Sequence, residues 1–223
     1  MDERSFTMRT NEERLNELLA HLDSLDHIHV DEIPQIDLYM DQVTTFMEKH
    51  LGELKRYPED KVLTKTMINN YTKNNLLPPP EKKRYTKEHL ILLIYIYYLK
   101  NVISISDIQI MLKPLIDHYF ENPDAPHSLE EIYASLYKLE QHQHFRVENS
   151  VVKTFELSEH DFPGVEDKYI KNLNFLSLLG YDIFIKKKIM ERIIDEMAAE
   201  QAKEQEQQNG KEKKTKEENK RRK

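Results

Sequence analysis

Residues 63–90 read LTKTMINNYTKNNLLPPPEKKRYTKEHL, and the punctuation of this stretch decides the fold. Thr64 is an N-cap residue for a short helix. Met67, Ile68 and Tyr71 recur at helical spacing and predict its buried side. Lys65, Thr66, Asn69, Asn70 and Lys73 then lie outward. Pro78-Pro79-Pro80 forbids helix and holds an extended segment. The basic run Lys82-Lys83-Arg84-Tyr85 follows. Thr86 caps the next helix, predicted to run to about Asn101 with a stripe of Leu90, Leu93, Ile96 and Leu99.

Working outward, Tyr39, Val43, Phe46, Met47, Leu51 and Leu54 predict a helix starting near Leu38, closed by Gly52 and Pro58. Before it, Thr10 with Glu13 is a capping-box pattern. Leu15, Leu18, Leu19, Leu22 and Leu25 then mark a short amphipathic helix. HIHVDEIPQI reads as a connector. On the other side, Ser104 with Asp107 opens a helix carrying Ile105, Ile108, Met111, Leu112 and Leu115, with a bend expected at Pro114. ENPDAPH (121–127) is turn chemistry. Ser128 with Glu131 opens another helix through Ile132, Leu136 and Leu139. VENSVVKTFELSEHDFPG (147–164) reads as a loop or short extended piece. From about Glu166 apolar residues step by three and four, and Gly180 predicts a break into two helices. After Ala199 apolar residues vanish, which predicts a disordered basic tail.

The expected fold class is all-α. The expected organisation is 1–30 as amphipathic helix and connector, 31–120 as a helix-turn-helix domain, 121–200 as a helical C-terminal region, and 201–223 as charged tail.

Composition narrows the chemistry. There is no cysteine among 223 residues, so disulfides, thiolate metal sites and cysteine catalysis are excluded. A cytoplasmic location is the expectation from that. Only 4 residues are glycine, and neither a G-x-x-x-x-G-K nor a G-x-G-x-x-G pattern occurs. The longest apolar run, Leu90–Leu99, is far short of a membrane span, and the first residues lack the apolar stretch of a secretory signal. Net charge is −7, unevenly spread. Residues 60–100 carry 8 bases against 3 acids, a basic island in an acidic chain. An acidic protein meets a polyanion only through such a face.

The stretch resembles the winged helix-turn-helix of MerR-type transcriptional regulators. Leu63-Thr64 supplies the turn, Ile68 and Tyr71 the recognition helix, and Leu76-Leu77-Pro78-Pro79 the exit. Arg84-Tyr85-Thr86 ends the wing. The Leu90–Leu99 stripe and Ser104, Asp107 and Ile108 complete the pattern. Asn69 and Asn70 stand where those proteins usually carry an arginine and a second tyrosine, and the spacer Gly52–Asp60 has no counterpart. The run MINNYTK…LLPPP…KRYTKEH is also similar to an uncharacterised bacterial family with a MerR-like reader, over about residues 30–180.

The resemblance implies a non-enzymatic regulator of transcription that binds double-stranded DNA. Its contact residues would be Lys65, Thr66, Asn69, Asn70, Tyr71, Lys73, Lys82, Lys83, Arg84 and Tyr85. Asn can read adenine through two hydrogen bonds, and Lys and Arg neutralise phosphate. Tyr71 reads as mainly structural, and Tyr95, Tyr97 and Tyr98 as packing residues. Leu173, Leu176, Ile183, Met190, Ile194 and Met197 would form a homodimer seam, or pack within the chain. The alternative is a helical adaptor that binds a protein partner. No cofactor is expected. No metal is expected either: His27/His29 and His142/His144 are two apart, a spacing that splays side chains on a helix.

Overall fold

Capping and apolar spacing set most of the element boundaries. The computed structural model describes residues 11–25, 27–160 and 168–221, with side chains for 12–25, 27–159 and 168–206. The chain runs α1 (Asn11–Asp23), β1 (Leu38–Tyr39), α2 (Met40–Leu51), α3 (Lys65–Lys73), β2 (Arg84–Tyr85), α4 (Lys87–Leu99), α5 (Ile105–Tyr119), α6 (Leu129–His160) and α7 (Lys168–Arg221). Short 3-10 turns occupy Val30–Glu32 and Gly52–Leu54. The chain is mostly helical, as expected of an all-α fold.

Helix α4 is the centre of the core. Its sequence predicts one apolar stripe, yet Leu90 to Ile94 and Ile96 are all fully buried. The helix is apolar all round, and such helices are enclosed on every side. Each of these side chains contributes roughly 1.5–3 kcal/mol of burial. Val43, Met47, Leu51, Ile68, Leu76, Leu77, Ile108 and Leu112 surround it. Leu129, Tyr133 and Ile194 belong to the same cluster, so α6 and α7 share one core with α2–α5.

Tyr39, read from spacing as helical, lies in β1 instead. Antiparallel β1 and β2 pair Leu38 with Tyr85 and Tyr39 with Arg84. Strand alternation turns Leu38 and Tyr85 inward and leaves Tyr39 57% exposed.

Three local devices hold α3. Thr64 Oγ1 accepts the Met67 N–H at 3.1 Å, the expected N-cap. At the other end Asn75 sits at φ 55°. The Leu76 N–H reaches Tyr71 O at 2.9 Å and the Asn75 N–H reaches Thr72 O at 3.2 Å. That pair of bonds is a Schellman stop, with buried Leu76 as its apolar anchor. Lys100 Nζ, over the Tyr97 ring, donates to Val62 O at 2.7 Å and pins the 52–64 connector.

Pro114 does not end α5. A proline there has no N–H for the Ile110 carbonyl. Gln201 Nε2 of α7 donates to that carbonyl instead, at 2.9 Å. The expected capping boxes at Ser104/Asp107 and Ser128/Glu131 both form. Thr10 lies outside the described residues.

The stretch from Val147 to His160 is helix, not loop: α6 runs through it unbroken. Phe155 and Ser158 are buried there, and the Phe155 ring meets Phe175 edge-on at 5.4 Å. Packing against α7 overrides the weak helix propensity of the paired valines. Residues 161–167 lie outside the description. Gly180 does not break α7, because an exposed glycine costs only about 1 kcal/mol and the helix extends 54 residues. Its backbone continues to Arg221, past the point where the sequence predicts disorder. The Gln, Glu and Lys of that segment are good helix formers.

Helices α1, α6 and α7 form an arm. Arg14 lies over the Phe155 ring and Asp23 lies beside His144, so α1 runs antiparallel to α6. Lys171 pairs with Glu159 at 2.8 Å where α7 turns back along α6. Tyr133 Oη donates to Ile28 O at 2.5 Å and ties the arm to the core.

Candidate nucleic-acid interface

Ile68 and Tyr71 anchor α3 in the core beside α2. The remaining face of α3 is open, and Lys65, Thr66, Asn69, Asn70 and Lys73 are all exposed on it. Gln109 Nε2 of α5 donates to Asn74 O at 2.9 Å and fixes the end of this helix.

The basic run forms a tight hairpin. Glu81 O accepts the Arg84 N–H at 2.9 Å. Lys82 and Lys83 between them sit at φ 49° and φ 65°. Two successive positive φ angles define a type I′ turn, which asparagine and glycine fill most readily. Lysine at both positions carries backbone strain of order 1 kcal/mol each. Both side chains are exposed at the tip, with Arg84 at the base.

Two carboxylates share this face. Lys65 pairs with Asp41 at the start of α2. Arg84 lies 4.0 Å from Asp37, just before β1. Residues 37–41 therefore sit between the hairpin and the start of α3. The contact residues expected from sequence are thus drawn together, but with acids interleaved. Tyr71 and Tyr85 are the exceptions. They are 7% and 3% exposed, so they pack beneath α3 and the hairpin rather than presenting a surface. Burial pushes both phenols above the usual tyrosine range.

Sequence reading missed Asp37, Asp41 and Tyr39 as members of this face. Asp41 and Lys65 are far apart in the chain, so spacing carries no trace of the pair. Tyr39 fits the helical spacing of the residues after it, and only the pairing of the two-residue strand with β2 turns it outward.

The expected seam on α7 is divided. Ile194 is 4% exposed and Met190 packs on the core, as does Gln201 beyond. Leu173, Leu176 and Ile183 are 47%, 65% and 62% exposed. Met197 is half-buried. Away from the basic face, one group of metal-competent side chains converges among the described residues: Asp23, His144 and Glu148.

Taken together, fold and face define a helical protein in which a short, open helix and a lysine-tipped hairpin flank the start of α2. Residues 28–136 match the family described as Domain of unknown function (DUF1836), just under half of the chain. That segment is therefore similar to an uncharacterised family, and the similarity ends inside α6 rather than near residue 180. No curated protein and no solved structure matches the chain. No helix among the described residues is long and apolar enough to cross a membrane.

Proposed function

We propose that this chain is a DNA-binding transcriptional regulator with a MerR-like winged helix-turn-helix. In this reading α2 and α3 are the two helices, α3 enters the major groove, and the 81–84 hairpin is the wing. Asn69 and Asn70 meet base edges, while Lys73, Lys82, Lys83 and Arg84 meet phosphates. The observation that carries the reading is the pair of lysines held at positive φ at the hairpin tip. Strained backbone persists where the surrounding structure over-determines it, and it clusters at functional sites. A solvated turn would need neither the strain nor the two charges.

The interleaved carboxylates do not forbid phosphate. Exposed ion pairs such as Lys65–Asp41 and Arg84–Asp37 contribute about 0–1 kcal/mol. A phosphate that releases condensed counterions competes with them on favourable terms. Leu173, Leu176 and Ile183 would pair two copies and set the spacing of two half-sites.

A second reading, a helical adaptor for a protein partner, is favoured by one observation. Phe184, Ile189 and Ile193 on α7 are also more than half exposed, so that helix carries exposed apolar residues on more than one side.

Sequencing of genomic DNA fragments retained by the purified protein at about 150 mM salt separates the two. The variant with Lys82, Lys83 and Arg84 all changed to Ala runs in parallel. Fragments that share a site and are lost in the variant are the expected result. No enrichment from two folded proteins would overturn direct DNA reading and leave the adaptor.

A further inference from the structure

Where α1 ends against α6, one side chain of α1 and two of α6 converge. His144 and Glu148 are four apart on α6, so they share one face. Asp23, the last residue of α1, sits opposite. One ligand atom from each lies within 4.8 Å of the other two. His144 Nε2 and Asp23 Oδ1 are 3.5 Å apart. That is too long for a good hydrogen bond. It is the separation of two donors on a tetrahedral ion at about 2.0–2.2 Å from each, which works out to roughly 3.3–3.6 Å.

The surroundings suit a cation. The carboxylates supply two negative charges, and the C-terminal end of α1 adds the negative end of its dipole. A cleft lined by Leu22, Leu25, Gln143 and Val147 opens onto Asp23 and His144, and leaves room for water in the remaining positions. His27 Nδ1 pairs with Glu140 at 2.7 Å along the same cleft. This pair fixes the neighbouring groups without occupying the three donors.

We propose that Asp23, His144 and Glu148 bind one divalent cation of the zinc class. An imidazole nitrogen with two carboxylate oxygens favours zinc over magnesium or calcium, which prefer all-oxygen shells. The ion joins α1 to α6 and fastens the arm. All three residues lie outside the segment that matches the known family, so the site is a property of this chain's additions to it. It is independent of the DNA-binding reading.

The test uses full-length, tag-free protein stripped with a chelator. Zinc alone is titrated by calorimetry, and amide exchange is followed with and without zinc. One equivalent is expected to bind. His144→Gln and Glu148→Gln should each weaken binding at least tenfold, with helical circular dichroism unchanged because both side chains are only half-buried and lie outside the core. Exchange in residues 12–23 should slow severalfold with zinc in the parent protein and not in Asp23→Asn. Absence of a one-to-one site, equal affinity in the variants, or α1 exchange indifferent to zinc would each overturn the proposal.

Discussion

Lys82 and Lys83 occupy backbone that asparagine and glycine fill at lower cost. Replacing them with Asn and Gly should therefore stabilise the fold while removing two charges. The expected gain is about 1–2 kcal/mol, which for a chain of this size is a rise of several degrees in Tm. DNA retention should fall, with the salt slope lower by about 2. A variant that is both more stable and equally retained would sink the wing assignment. His89 offers a second residue-scale test. It is 2% exposed, between the Tyr85 and Phe120 rings. Its Nδ1 accepts the Thr86 N–H at 3.1 Å. Burial disfavours the imidazolium and lowers its pKa to about 4, against smaller opposing effects of the Pro78 carbonyl and Asp37. The unfolded chain takes up this proton from about pH 6.5 downward, but the folded protein does so only near pH 4. The contribution is therefore complete above about pH 6.5 and is lost as pH falls toward 4, with a ceiling of about 3 kcal/mol. Gln in place of His89 keeps the capping acceptor but does not titrate. Urea unfolding at pH 7.5 and 4.5 should show a smaller acid penalty in His89→Gln; an equal penalty would assign the effect elsewhere.

At the scale of elements, the Gln201–Ile110 bond makes α5 and α7 depend on one another through a proline. Gln201→Ala should cost about 1 kcal/mol in the parent chain. With Pro114→Ala in place, the residue-114 N–H can reach the Ile110 carbonyl, and the same change should cost less. A double-mutant cycle measures the difference, and strict additivity would refute the substitution of one donor for the other. Gly180→Ala is a simpler case. A Cβ there meets nothing within 4 Å, so the change should stabilise α7 by about 0.5–1 kcal/mol in thermal unfolding. The elements around α3 were legible in the sequence because their signals are local. Thr64, Ser104 and Ser128 cap within three residues, and the triple proline stops helix wherever it occurs. Helix α4 was legible as an element but not as the centre, since one stripe cannot be told from full enclosure without the neighbours. The region after Val147 was illegible because its helix depends on Phe155 meeting Phe175 across the arm. The basic side of the candidate face could be read, but the acids interleaved with it could not. Asp37 and Asp41 reach Arg84 and Lys65 only through β1–β2 pairing and the contact of α2 with α3.

For the whole molecule, the basic face and the largest group of exposed apolar residues lie on different elements. The basic hairpin and α3 lie in the matched segment, and the exposed apolar residues concentrate on α7. At 1.5 Å per residue α7 is a rod of roughly 80 Å. The proposed pairing predicts a dimer in sedimentation equilibrium that Leu176→Lys with Ile183→Lys converts to monomer, since both positions are exposed in the single chain. A parent protein that is monomeric at micromolar concentration would remove the seam. The antiparallel seat of α1 on α6 has a further consequence, for the order in which the chain is made. About 120 residues separate Asp23 from His144, so a ribosome adding about 5–20 residues per second needs roughly 6–24 s to cover the gap. Leu15, Leu18, Leu19 and Leu22 have no arm to lie against during that interval. The segment around α4 can close first, and α1, made before it, finds its place only after α6 has emerged.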